Sequence, residues 1–131
     1  MTESDFREWL ERYLRPQEKR SAEAIRNLFA EDGVYWWGPY SEPCRGVDAI
    51  YLHHRNALSR QEDIHYRYDI LAVTERYGLA RFYLKIKDLA PGEPNRYEGI
   101  FMVHLDDENR CTLFQEWYNA TTVDGDQQPQ A

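Results

Sequence analysis

Four aromatic residues crowd one short stretch of this chain: Tyr35, Trp36, Trp37 and Tyr40. Rings at that density can stack on a flat ligand at the mouth of a pocket, or simply plug one end of a core. Downstream lies the adjacent pair His53 and His54. An imidazole titrates near neutrality and passes protons in either direction. His54 falls on the apolar stripe of a predicted helix, so it faces a pocket or bonds a core carbonyl; His53 points elsewhere. Two strand carboxylates, Asp69 and Glu116, are candidates for moving a proton in general acid–base chemistry. Metal chemistry is a weaker option. His53, His54, His65 and His104 are scattered, and adjacent His53 and His54 point about 100° apart on a helix. There is no Ser-His-Asp pattern, no phosphate-cradling glycine loop and no dinucleotide fingerprint, and no cofactor is implied.

The elements that must position these groups follow from periodicity. Ser4 is placed to cap a first helix, whose stripe is Phe6, Trp9, Leu10, Tyr13 and Leu14. Pro16 interrupts that pattern and suits the start of a second helix, with Ala22, Ile25, Leu28 and Phe29 inward. Asp32-Gly33 ends the second helix. Val34 to Trp37 reads as a short strand, and residues 38–46 as a Pro/Gly loop. Val47, Ile50, Tyr51, His54 and Leu58 mark a third helix.

Beyond Asp63 the period changes to two. Strands are expected over 64–74, 79–87, 96–105 and 111–120, with short connections. Along the last strand Leu113, Gln115 and Trp117 share one face, and Phe114, Glu116 and Tyr118 the other. Both faces carry aromatics, so alternation leaves open which one points inward. Helices first and a strand meander after is an α+β order. One domain over 1–122 is expected, with a polar, flexible tail at 123–131.

With 131 residues the chain is long enough to bury a core without staples. Its net charge is -7, and its pI of about 5.1 argues against nucleic acid as a partner, because phosphate binding needs clustered Lys and Arg. Cys44 and Cys111 lie in no metal-like spacing and read as free thiols in a reducing cytoplasm. The acidic N-terminus shows no apolar signal region, and no run approaches the roughly 20 apolar residues of a membrane span. The expectation is a cytoplasmic protein.

From Phe29 the chain reads helix end, aromatic strand, Pro/Gly loop and helix start at Gly46-Val47-Asp48-Ala49-Ile50. This order resembles the nuclear-transport-factor-2-like superfamily, in particular its ketosteroid-isomerase and SnoaL-like branches. The resemblance implies a cone-shaped, curved antiparallel (mixed) sheet wrapped around helices, a cystatin-like α+β barrel with one apolar pocket. It places an oxyanion-binding tyrosine at Tyr13 and its supporting group at His54. The isomerase base falls on Trp37 or Gly38 and the oxyanion aspartate on Phe101, so that constellation is absent. In the SnoaL-like branch a pocket carboxylate takes the acid–base role; here that is Glu116 or Asp69.

The family pattern also puts Tyr97, Gly99, Phe101, Val103 and Leu105 inside. Ile100, Met102 and Phe114 then form an outer apolar patch, and the resemblance implies a homodimer through that face. Trp37, Phe101, Trp117, Tyr40 and Tyr97 are the expected pocket residues. Two functional readings follow. One is an isomerase, cyclase or dehydratase acting on a small hydrophobic carbonyl compound. The other is a non-catalytic ligand-binding or assembly module of the same fold. A carboxylate in one pocket with Tyr13 and His54 would favour the first.

Overall fold

The structure is a computed structural model and describes residues 1–124. Its first helix, α1 (Glu3–Glu18), starts at Thr2 rather than Ser4. The Thr2 hydroxyl accepts from the Asp5 N–H, and the Asp5 carboxylate accepts from the Thr2 N–H, both at 3.0 Å. That reciprocal pair satisfies two otherwise orphaned amides. Pro16 lies inside α1 instead of opening a new helix. It falls in the last turn, and the bond it forgoes is its own N–H bond to the Arg12 carbonyl. The Gln17 amide there bonds back to the Tyr13 carbonyl at 2.9 Å.

The second helix is a single turn, α2 (Ile25–Leu28), and the first strand, β1 (Phe29–Trp36), begins five residues earlier than periodicity suggests. Phe29 pairs with Cys111 and Val34 with Leu113, so Asp32-Gly33 lies in an irregular step of a strand rather than at a helix end. At Gly33 a side chain would stand 3.0 Å from the Cys111 carbonyl oxygen, so the close approach of the two backbones favours glycine. Within the expected loop, β2 (Cys44–Arg45) pairs antiparallel with β1. Helix α3 (Val47–Leu58) follows Gly46, which has a positive φ of 88°.

Four long strands complete the chain: β3 (Gln61–Val73), β4 (Tyr77–Asp88), β5 (Arg96–Leu105) and β6 (Cys111–Thr121). They form one six-stranded sheet in the order β2-β1-β6-β5-β4-β3. Only the β1–β6 pair is parallel, so the sheet is mixed, curved and not closed. Its inner face carries Ile64, Phe82, Phe101, Val103 and Phe114 against Phe6, Trp9 and Leu10 of α1 and Ile50 of α3.

Strand parity is settled by packing. Phe101 and Val103 are buried, and their partners across β6 are Glu116 and Phe114. Directly paired residues share a face. Phe114 therefore belongs to the core, 5.0 Å from the Phe101 ring centroid, and not to the outer patch. Helix α1 lies beside the free edge of β3. There Arg15 donates to the Tyr66 carbonyl at 3.1 Å, and the Tyr66 N–H donates to Glu18 at 2.8 Å. At the other end, Val123 is held by two hydrogen bonds to the Asn95 amide, both 2.9 Å. The rest of the expected tail, from 125 on, lies outside the described residues. Among the described residues, no helix is long and apolar enough to cross a membrane.

Candidate functional site

Tyr13 of α1 and His54 of α3 are both buried and meet across the core. The Tyr13 hydroxyl and His54 Nε2 are 2.8 Å apart, and His54 Nδ1 lies 2.8 Å from the Ile50 carbonyl oxygen. A carbonyl can only accept, so Nδ1 carries the proton and Nε2 is left bare. Tyr13 therefore donates to His54. Burial lowers the His54 pKa to about 4, which keeps the ring neutral. From β1, Tyr35 stands with its ring centroid 4.8 Å from that of His54. Its hydroxyl and that of Tyr13 influence each other's titration. A polarised row runs from Tyr13 through His54 to the Ile50 carbonyl. Burial raises both tyrosine pKa values well above normal.

These residues form one wall of a cavity of about 530 Å³. The opposite wall carries Tyr66 of β3, Phe82 of β4, Tyr97 of β5, and Glu116 and Tyr118 of β6. The lining also includes Asn56, Arg60, Gln61 and Glu93. Glu116 shares this cavity with Tyr13 and His54 because it has the parity of the buried Phe114. As a residue it is half-buried, but the protein around its carboxyl is dense. That burial alone pushes its pKa up to about 8. Among the described residues, no donor bonds its carboxyl. Its charge is felt by Tyr13, Tyr35, Tyr66, Tyr97 and Tyr118. Burial also raises the Tyr97 pKa, to about 12.

The other expected residues divide. Tyr97 and Trp37 line the cavity, and Trp37 stacks on His53 at 5.8 Å between ring centroids. Phe101 is buried beneath it, stacked on Phe82 at 4.1 Å, and shapes the cavity without lining it. Trp117 has the opposite parity to Glu116 and faces outward into a separate cleft beside Trp36 and Pro39. Tyr40 lies in the loop between β1 and β2, is fully exposed, and does not line the cavity. Asp69 is on the exposed face of β3, by Arg67, away from the cavity. His53 lines the cavity rather than pointing away, because Trp37 folds down upon it. Tyr66 and Tyr118 were not singled out from sequence. The signal was available, since Tyr66 has the parity of buried Ile64, and Tyr118 that of Phe114.

A family model described as SnoaL-like domain matches residues 10–113. Among solved structures, a steroid delta-isomerase from Pseudomonas aeruginosa is 21% identical, with a TM-score of 0.67 over 89% of this chain and 81% of that one. An LEH-like epoxide hydrolase from M. tuberculosis is 14% identical, with a TM-score of 0.72 over 88% and 84%. The epoxide hydrolase/cyclase-like enzyme SalBIII, with a role in pyran ring formation in polyether salinomycin, is 13% identical, with a TM-score of 0.72 over 86% and 89%. At these identities the likeness is one of fold. No curated protein matches the chain.

Proposed function

The chain belongs to the SnoaL-like domain family, and from that premise we propose that it is an acid–base enzyme, an isomerase, cyclase or dehydratase. Its substrate is a small apolar molecule carrying an oxygen function. One observation carries this reading: the Glu116 carboxyl shares a cavity with Tyr13 and His54 and has no hydrogen-bond donor among the described residues. With a pKa near 8, Glu116 is mostly protonated at neutral pH. It can hand that proton to a ligand oxygen and recover one afterwards, a role worth about 10²–10⁴ in rate. The names of the structural neighbours, isomerase, epoxide hydrolase and cyclase, agree with this class.

In this reading Tyr13 and His54 are positioning residues. The Tyr13 proton is already given to His54, so among these residues Tyr35, which also lines the cavity, is the hydroxyl available to a ligand oxygen. Tyr13→Phe is expected to leave His54 Nε2 buried without a donor, at a cost of about 1–3 kcal/mol in stability. It should also weaken ligand binding by freeing the His54 ring that packs against Tyr35 on the cavity wall. Urea unfolding reads the first effect and ligand titration the second. A variant as stable as the parent would show that the Tyr13–His54 bond contributes nothing.

The direct experiment is to incubate the protein with cyclic ketones and epoxides in D₂O and follow deuterium exchange or ring opening by NMR. Exchange or opening catalysed above the buffer rate supports the enzyme. Binding without either supports the second reading, a non-catalytic ligand-binding or assembly module. That second reading is favoured by Trp37 or Gly38 and by Phe101, the positions on which the family resemblance places the isomerase branch's carboxylates. For assembly, we propose a homodimer through the outer sheet face, where Ile100 pairs with Trp117 and Met102 with Gln115. Trp117 is 38% exposed there. Sedimentation equilibrium is expected to give twice the chain mass of 15.7 kDa; a monomer would remove this face as an interface. Both cysteines are free, in keeping with the cytoplasmic location that this reading adopts.

A further inference from the structure

We infer that the cavity takes an organic cation, a small amine or quaternary ammonium compound with an apolar body, held by the Glu116 carboxylate within its surround of tyrosine rings. The inference deepens the acid–base reading and rests on its premise that this cavity is the ligand site.

A carboxyl facing a cavity normally meets an arginine, a lysine or backbone amides. Glu116 meets none of these among the described residues. What surrounds it on the cavity lining is five tyrosines: Tyr13 of α1, Tyr35 of β1, Tyr66 of β3, Tyr97 of β5 and Tyr118 of its own strand. Aromatic rings attract a cation through their quadrupoles, most strongly where water is excluded. Helix α3 contributes His53 and His54, whose pKa values burial lowers. Among the described residues, the one Lys or Arg on the lining is Arg60. It is exposed, and its charge acts on His53 rather than on Glu116. Glu93, from the β4–β5 connection, adds a second carboxylate to the lining. With a net charge of -7 on the chain, the long-range field also draws cations rather than anions.

The exchange balances simply. In the empty cavity Glu116 holds a proton at neutral pH; a cation enters, the proton leaves to solvent, and carboxylate and cation remain paired. In that complex Glu116 is ionised and serves as the base for any proton removed from the ligand.

The test uses benzyltrimethylammonium, whose charge is independent of pH, beside its neutral carbon isostere neopentylbenzene. Fluorescence of Trp37 reports binding, and calorimetry in buffers of different ionisation enthalpy counts protons. The apparent affinity for the cation should rise about tenfold per pH unit from about pH 6 and level off near pH 8, with one proton released per cation on the rising limb. Glu116→Gln should abolish the pH dependence and the proton release, and weaken the cation at least about tenfold. The isostere should show none of these effects. A cation bound no better than its isostere, or bound equally well by Glu116→Gln, overturns the inference. If cyclic ketones still bind in a Glu116-dependent way, the acid–base reading survives that result. If no ligand of any of these kinds binds, both readings fall together.

Discussion

Replacing Glu116 with Gln is expected to lower turnover by about 10²–10⁴ while making the protein more stable at alkaline pH. The two effects have one origin. Burial raises the Glu116 pKa from the ordinary 4.5 to about 8. The folded chain therefore keeps a proton that the unfolded chain releases above about pH 4.5. Folding stability falls as pH rises through that window and levels off once the folded carboxyl has also ionised, near pH 8. Glutamine keeps the shape and removes the titration, so its unfolding midpoint in urea should exceed the parent's at pH 9 and approach it at pH 5. His54 acts in the opposite direction. Its pKa is depressed to about 4, so its contribution is complete above the ordinary 6.5 and is lost as pH falls toward 4. The variant should keep that acid limb and lose only the alkaline one. Such a gain in stability with a loss of function is what a group held in an unfavourable state for chemistry predicts. Unchanged turnover in Glu116→Gln would remove the carboxyl from the mechanism.

Gly99→Ala is expected to be the most damaging single-methyl change in the sheet. A Cβ at Gly99 would overlap the Trp117 carbonyl oxygen and stand 2.8 Å from Tyr118 Cα. Both are groups of the neighbouring strand, which cannot rotate aside as a side chain can. Strands β5 and β6 must separate at the level of Glu116 and Tyr118, with loss of ladder hydrogen bonds. Overpacking a well-filled core costs about 1–3 kcal/mol, and backbone on backbone belongs at the upper end or beyond. Gly38→Ala is the control, because a Cβ there meets nothing within 4 Å. Urea unfolding of the two variants should separate them by about 3 kcal/mol. Equal stability would mean that the two strands yield without strain.

The sheet was legible because its strands are long and alternate, and one buried face leaves few registers open. The start of β1 was not. Phe29 and Ala30 fit the tail of an apolar helical stripe as well as a strand. The choice is made by pairing with Cys111, a contact with no local signature. For Glu116 the difficulty was symmetry: Phe114 and Tyr118 on one face look no more inward than Leu113 and Trp117 on the other. Parity is decided by Phe114 fitting against Tyr13, at 5.2 Å between ring centroids, and against Phe101. Tyr13 and His54 are matched through the family resemblance; the helical stripe on which each lies is equally consistent with a plain core position. The partition of their protons could not be read in advance, because it depends on the Ile50 carbonyl reaching His54 Nδ1.

The free edge of β3 has a further consequence. A thirteen-residue strand at the border of an open sheet is a template on which a strand from another molecule can grow. At Tyr66, halfway along it, the outward N–H and C=O are already occupied by Glu18 and Arg15 of α1. Two side chains thus imitate one residue of a neighbouring strand and leave no pair of backbone groups there for an intruder. The helix that carries Tyr13 into the cavity also serves as a guard against aggregation, so changes to its outer face bear on solubility before they reach the site.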